Sequence, residues 1–258
     1  MRILVCVKQV CDSADTLFID QSSSWVEYGG HTVFRMNRYD EYALEEALRI
    51  RERFEGTGID AVSIGPERAQ ATIRRALGMG ADHGIHIYQE ERGYLSPFDR
   101  AALISRAAAD RGYHLILAGV MAEDDMEGQV GGLVAGMLGY ACATSVISQE
   151  LSPGTGEVLV EREIEGGRRE RLNLKLPAVL TIQSGINIPR YPALSHMLRS
   201  RTAAIELIEA HALAPRASSG TRIRCAPAEA GSVGEFLEGT PEQKALRLLE
   251  ILHEHSLL

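Results

Sequence analysis

The chain has 258 residues, 45% of them hydrophobic and 24% charged, enough for one large domain, or a domain with an appendage, around a substantial core. Its formal net charge of -8 argues against the basic face of a general nucleic-acid binder and otherwise bears only on solubility. Cys6, Cys11, Cys142 and Cys225 form no CxxC pair, so neither a disulfide framework nor a zinc or iron–sulfur motif is indicated.

Residues 3–7 are a continuous apolar run, the pattern of a central parallel strand. The run is too short for a signal peptide, and no later run could span a bilayer. A cytoplasmic setting is therefore expected, or an organelle interior after trimming. Lys8-Gln9-Val10-Cys11-Asp12 follows as a polar loop at the carboxyl end of that strand, where open α/β sheets bind ligands. Lys8 and Asp12 read equally well as solvated loop charges. Residues 17–35 read as a loose excursion, with turns at Ser22-Ser23-Ser24 and Gly29-Gly30 and Trp25 tucked against the body. Asn37 then caps a helix, with Asp40 at its third position in a capping-box-like arrangement and Ala43, Ala47, Ile50 and Phe54 as the buried stripe. Capping is a sufficient structural task for Asn37.

Ala61-Val62-Ser63-Ile64 reads as the second strand, ending at Gly65-Pro66, and the helix from Glu67 buries Ala69, Ile73 and Leu77 before closing near Gly80. Gly84-Ile85-His86-Ile87-Tyr88 is the next strand, with His86 a half-exposed strand residue rather than a catalyst. Ser96-Pro97-Phe98-Asp99 opens a helix with an N-cap serine, a proline at the first position and an acid at the third; Gly112 ends it. Residues 114–118 form a strand, 120–128 an acidic loop, and a helix starts near Gln129. A helix start exposes amides without intrahelical partners, and its dipole favours anions, so a phosphate would sit well beside Gly131 and Gly132. The same glycines suit a tight strand-to-helix turn chosen for packing, since the spacing is neither a Walker loop nor a GxGxxG fingerprint. The alternation of strand and helix indicates an α/β protein with a doubly wound, mostly parallel sheet.

After about Ala143 the pattern changes. Residues 157–164 alternate, Gly166-Gly167 makes a turn, and 168–176 return with Leu172, Leu174 and Leu176 on one face, which is a β-hairpin. Residues 177–182 are a buried strand, and 186–192 an extended, proline-punctuated segment. A short helix over 194–201 carries Met197 and Leu198 beside Arg199 and Arg201. Residues 214–235 read as an Ala-, Pro-, Gly- and Ser-rich arm. Thr240-Pro241-Glu242-Gln243 is a capping box that opens a terminal helix striped with Ala245, Leu248, Leu249 and Leu252. The expected organisation is an α/β domain over residues 1–210, then over 211–258 an arm and helix that pack on a partner chain or dock back.

The hairpin run Val160-Glu161-Arg162-Glu163-Ile164-Glu165-Gly166-Gly167, with Glu170-Arg171-Leu172 and Pro177-Ala178-Val179-Leu180-Thr181, resembles the signature of electron transfer flavoprotein β subunits. Further blocks resemble the family in order. They are Val7-Lys8-Gln9-Val10 with Asp12, Met36-Asn37 with Asp40, Ala43, Glu45 and Ala47, Ser63-Ile64-Gly65-Pro66, and Ala76-Leu77-Gly78-Met79-Gly80-Ala81-Asp82. Pro189-Arg190-Tyr191-Pro192-Ala193-Leu194 is similar to the family's recognition loop, and the resemblance spans residues 1 to about 210. It implies a Rossmann-like, adenine-nucleotide α-hydrolase-like fold. It also implies an α/β heterodimer that carries electrons between flavin dehydrogenases, of the acyl-CoA dehydrogenase type, and an oxidoreductase. In the family one FAD lies mainly on the α subunit. The β subunit holds a second nucleotide, AMP in simple carriers and FAD in electron-bifurcating members. Carried over by position, that second site would use Cys6, Val7 and Asp12, then Asn37, then Ser63 and Ile64. Gly119 and Asp125 would follow, with Gly128, Gln129, Val130 and Gly131 at the helix start and Thr144 beyond it.

Where simple carriers read Asn-Gln-Thr-Gly, this chain reads Gly128-Gln129-Val130-Gly131, without two polar contacts to AMP. Gln-Val-Gly, residues 7–10, the excursion through Ile19-Asp20 and the tail at 238–242 are similar to electron-bifurcating and nitrogen-fixation-type members. Those relatives usually carry Gly-Asp-Thr-Ala where this chain has Asp125-Met126-Glu127-Gly128. FAD in the β site is the resulting expectation, AMP its alternative, and NAD(H) a reactant if the protein bifurcates. In the recognition loop a leucine inserts into the dehydrogenase. Leu194 holds that position, with Arg190, Tyr191 and Met197 around it, and would otherwise be the first core residue of a short helix. A competing class is a nucleotide-binding or ATP-hydrolysing module with Asp124 and Asp125 on magnesium, though no Walker lysine precedes a Ser/Thr at a helix start. A structural subunit with a vestigial nucleotide site is a third. No catalytic Ser/His/Asp or Cys/His set and no metal site stands out.

Overall fold

In the computed structural model, which describes residues 1–12, 18–20, 25–90, 93–213, 225–226, 234 and 236–257, the chain opens on β1 (Arg2–Cys6). Ile3, Leu4 and Val5 are all buried, because helices cover both faces of this strand. Residues 8–12 are more than the expected loop. They contain β2 (Gln9–Cys11), and the excursion beyond holds β3 (Phe18–Asp20) paired with β4 (Trp25–Glu27). β5 (Phe34–Met36) returns antiparallel to β2. Ribbons of three residues are too short to show a period-two pattern in a sequence. The turn expected at residues 22–24 lies outside the described residues, as does most of the arm expected over 214–235.

α1 (Arg38–Arg53) buries Ala43, Leu44, Ala47, Leu48 and Ile50, while Phe54 is its half-buried C-cap. β6 (Gly58–Gly65), α2 (Gln70–Met79) and β7 (His83–Tyr88) follow. α3 (Pro97–Ala108) and β8 (Leu115–Gly119) complete the alternation. Ser96 caps α3 as expected, its Oγ accepting the Asp99 amide at 3.1 Å. α4 (Val130–Leu138) ends at Gly139 in the left-handed region.

β9 (Ala141–Ser152) was not visible in the sequence pattern. One half pairs in parallel with a buried strand and the other half antiparallel with the hairpin, so it shows neither a continuous apolar run nor a clean alternation. β10 (Glu157–Ile164) and β11 (Arg168–Lys175) form the expected hairpin, and all of β12 (Ala178–Ile182) is buried. α5 (Leu194–Thr202) leads to β13 (Ile205–Glu209), a second unforeseen strand that runs half-exposed along the sheet edge. α6 (Pro241–Glu254) carries the expected capping box: Thr240 Oγ1 accepts from the Gln243 amide, and Gln243 Oε1 from the Thr240 amide.

Among the described residues the main sheet has nine strands in the order β11-β10-β9-β12-β8-β1-β6-β7-β13. β9 through β13 in that order are parallel neighbours, and the hairpin adds two antiparallel strands at the β9 end. Ile3, Val5, Leu115 and Leu117 pack with the buried residues of α1 on one face. Leu4, Val62 and Ile116 pack with those of α3 and α4 on the other. This is the doubly wound α/β architecture with an added hairpin. The chain divides into two compact units, Met1–Arg224, which holds the whole sheet, and Cys225–Leu258, which holds α6. Among the described residues no helix is long and apolar enough to cross a membrane. All four cysteines are free thiols.

Candidate functional site

From β1 the chain winds through β6 and β7 to one side, while β8 and β12 continue to the other. The carboxyl end of β1 is therefore the switch point where an open sheet splits into a crevice. A cavity of about 370 Å³ occupies it, within the size range of ligand pockets. The first turn of α1 closes its floor. The buried Asp40 carboxylate accepts the Lys8 amide at 2.7 Å and the Gly119 amide at 3.0 Å, joining the ends of β1 and β8. Burial pushes the Asp40 carboxyl up to about 7, against the opposing pull of the two amides and of Asn37.

Asn37 stands at the N-cap of α1 as expected, but its side chain caps nothing. Its Nδ2 donates to the Met121 carbonyl at 2.9 Å and its Oδ1 accepts the Glu123 amide at 3.2 Å. The capping box is thus replaced by a tie to the acidic loop. That loop is neutralised from both sides. Lys8 Nζ lies 2.6 Å from Asp124 and 2.8 Å from Asp125, and Arg100 reaches Asp125 at 2.6 Å. Although burial opposes it, these cations hold the Asp125 carboxyl below the usual carboxylate range. Tyr94 donates to Glu127 from the far wall.

No side chain caps α4, and Gly128, Gln129, Val130 and Gly131 line the cavity, so the uncapped amides of this helix start face the space a ligand would fill. Gly131 itself is glycine for packing, since a Cβ there would fall 2.3 Å from Thr181 Cγ2 on β12. Gly132 has open space around its Cα. Aromatic rings line the other part of the wall: Trp25 and Tyr94 lie 5.7 Å apart, Tyr28 and Phe34 5.2 Å apart. The Arg68 guanidinium stacks over Phe34 at 4.4 Å. Burial, then the charge of Asp40, pushes the Cys6 thiol up to about 12, so it lines the cavity as a small apolar group and not as a nucleophile.

Of the residues carried over by resemblance, Cys6, Val7, Asn37, Ile64, Gly119, Asp125 and the run 128–131 stand on this wall. Ser63 does not. Its neighbours Val62 and Ile64 face the cavity, so the alternation of β6 turns Ser63 to the opposite side, where it is buried. Asp12 lies past β2 beside Arg35, 3.7 Å from it, and Thr144 sits on β9 with its Oγ1 accepting from Arg162 at 3.3 Å. His86 is fully buried rather than half-exposed, with Nε2 2.9 Å from the Gly65 carbonyl. The clasp at Asp40 and the aromatic wall were missed. In the sequence Asp40 reads as the third-position acid of a capping-box-like arrangement, and no spacing relates Trp25, Tyr28, Phe34 and Tyr94. The donor set fits an adenine nucleotide: the uncapped amides of α4 for phosphate, flat rings for a heterocycle.

A second region stands apart from the cavity. Ile188, Tyr191 and Leu194 are 83%, 90% and 75% exposed, an apolar row along residues 188–194. Leu194 is therefore not a core residue of α5. Met197 turns inward, where a Cβ on Gly78 of α2 would fall 2.6 Å from its sulfur. Arg74 of α2 donates to the carbonyls of Ser200 and Ala203 at the end of α5. Arg190, expected beside Leu194 on the partner surface, is held by Glu45 and Glu52.

The chain matches the family model of the electron transfer flavoprotein domain over residues 29–213. It is 38% identical to the electron transfer flavoprotein subunit beta of Bos taurus over 212 residues, 81% of this chain and 82% of the relative. It is 37% identical to that of Dictyostelium discoideum, with 80% of each chain covered, and 37% identical to the mitochondrial one of Arabidopsis thaliana, again with 80% of each covered.

Proposed function

The chain belongs to the electron transfer flavoprotein β-subunit family, and from that premise we propose that it pairs with an α subunit to carry electrons between flavin dehydrogenases, of the acyl-CoA dehydrogenase type, and an oxidoreductase. The observation that carries the reading is the cavity at the β1–β8 split. It offers the uncapped amides of α4 to a phosphate and, among the described residues, no nucleophile in contact with a base, so it holds a nucleotide and transforms no substrate. A cytoplasmic setting belongs to the same reading.

FAD is the nucleotide proposed for the β site, and the aromatic wall is what favours it over AMP, since AMP needs a surface for one adenine only. A bound flavin would supply the acceptance and release of electrons. The chain's own residues do the rest. The α4 amides take the phosphates, Lys8 and Arg100 keep the acidic loop closed, and Asp40 sets the separation of the β1 and β8 ends. NADH-dependent electron bifurcation becomes the activity to assay if FAD is found there. AMP in a simple carrier is the alternative. An ATP-hydrolysing module is disfavoured because Asp124 and Asp125, the carboxylates it would turn to magnesium, are engaged by Lys8.

The row led by Leu194 is proposed to dock the dehydrogenase, an aliphatic anchor suited to a small, transient interface. Residues 211–258 are proposed to reach the α subunit. In support, no residue of α6 is buried although Leu246, Leu248 and Leu249 are apolar. The test is to denature the co-expressed heterodimer and count released nucleotides. Two FAD and no AMP per dimer support the β-bound flavin, whereas one FAD and one AMP leave the simple carrier. A heterodimer that an acyl-CoA dehydrogenase with its substrate cannot reduce overturns the carrier reading.

A further inference from the structure

Glu45 and Glu46 are adjacent on α1, both are buried, and neither takes part in the cavity. Burying carboxylates is unfavourable unless donors converge on them, so the donors show what the pair is for. Glu45 receives three bonds from one residue: the Arg190 amide at 3.0 Å, Nε at 2.9 Å and a terminal guanidinium nitrogen at 2.9 Å. The other guanidinium nitrogen reaches Glu52, about two turns further along α1, at 2.7 Å. Glu46 receives Asn187 Nδ2 at 2.9 Å and Gln149 Nε2 of β9 at 2.8 Å, and the same Asn187 amide also donates to the Tyr42 carbonyl at 3.0 Å. The outer side of α1 thus grips residues 187 and 190.

Residues 186–193 belong to no helix or strand, so nothing in regular secondary structure fixes their path. The gripped and the exposed side chains nevertheless alternate with a period of three: Asn187 and Arg190 turn inward, Ile188, Tyr191 and Leu194 outward. Three residues per turn is the repeat of a polyproline II segment, and Pro189 and Pro192 restrict φ to the values it needs.

We propose that Glu45 and Glu46 are positioning residues that hold residues 187–190 on α1, so that Ile188, Tyr191 and Leu194 meet the partner dehydrogenase as a preformed row. This rests on the docking role given to Leu194 above. A preformed segment spares the encounter the entropy of ordering it, which is where a weak, transient complex has least to lose. The clamp acts on association and leaves the cavity alone, because α1 lines the cavity through Asn37 and Asp40 at its start and not through Glu45 or Glu46.

The experiment uses the heterodimer with Glu45→Gln, and separately Arg190→Lys, which keep charge or volume but break the two-pronged bond. Reduction by an acyl-CoA dehydrogenase and its substrate is followed against heterodimer concentration. The expected result is a KM for the heterodimer raised about tenfold with kcat within about twofold, and with nucleotide content unchanged. Leu194→Ala added to Glu45→Gln should add less than it does alone, because a released segment no longer presents the leucine. Amide exchange should rise over residues 187–193 and nowhere else. A variant with unchanged KM, beside a wild-type heterodimer that accepts electrons, overturns the clamp alone. Loss of kcat together with nucleotide overturns it in favour of a purely structural role. A wild-type heterodimer that accepts no electrons overturns the carrier reading and the clamp with it.

Discussion

The amide of Gly119 donates to the Asp40 carboxylate at 3.0 Å, and a Cβ on residue 119 would fall 2.5 Å from that same oxygen. Tyr39 crowds the position equally, at 2.6 Å, so β8 meets the first turn of α1 backbone to side chain with no room between them. Gly119→Ala should therefore separate α1 from β8 and cost about 1–3 kcal/mol, the usual range for overpacking. Urea unfolding measures the loss. Nucleotide content should fall with it, since the floor of the cavity moves.

Asp40 makes a pH prediction whose sign is unusual for a carboxylate. Its pKa is raised by burial to about 7, so between roughly pH 4 and 7 the folded protein binds a proton there that the unfolded chain does not. Stability from this group is fully present below the unfolded value and lost as pH rises through the window. Asp40→Asn cannot titrate. Wild-type protein should therefore lose ground to the variant, by an amount on the order of 3–4 kcal/mol, as pH climbs from 4 to 7. Denaturant unfolding of both proteins at several pH values reads this directly, and parallel stability curves would show that Asp40 titrates like an exposed carboxyl.

The two glycines at the start of α4 should part company on substitution. Gly131→Ala drives a methyl into Thr181 and should cost about 1–3 kcal/mol while lifting the amides that face the cavity. Gly132→Ala meets nothing and should stabilise the helix by up to about 1 kcal/mol. Thermal unfolding with nucleotide release monitored in parallel separates them. Equal effects would mean the helix start is not packed as described.

Much of the sheet was legible because β1, β6, β8 and β12 are buried on both faces and announce themselves as short apolar runs. Ser96 and Thr240 were legible as caps because their partners stand three residues away. β9 and β13 were not, since one changes the sense of its pairing along its length and the other is half-exposed at an edge. The site divides in the same way. Resemblance located the walls at Cys6, Asn37 and the run 128–131, but long-range contacts decide what those side chains do. The Asn37 bonds to Met121 and Glu123 span more than eighty residues, and no local pattern encodes them. His86 went astray because parallel strands bury polar residues that find a carbonyl, as it does at Gly65.

Leu194 and Met197 lie three residues apart on α5 and should respond oppositely to truncation. Leu194→Ala should change stability by no more than about 0.5 kcal/mol and raise the KM for the heterodimer about tenfold. Met197→Ala opens space against Gly78 and should cost about 1–2 kcal/mol, less than for a fully buried methionine, with a smaller change in KM. Calorimetry and dehydrogenase kinetics on the same two preparations distinguish a docking residue from a packing one.

Among the described residues the nine-stranded sheet remains open, with β11 at one border and β13 at the other. An unpaired strand border is a template for adding further chains, and this molecule blunts both with charge of opposite sign. β11 exposes Arg168, Arg169, Arg171 and Lys175, while β13 carries Glu206 and Glu209. A border thus meets a second copy of itself with like charge, softened where Arg169 and Arg171 pair with Glu161 on the neighbouring strand and where Arg111 holds Glu206. Replacing the β11 arginines with threonine would preserve the strand and remove that repulsion, leaving two copies free to pair β11 against β11 in a closed dimer.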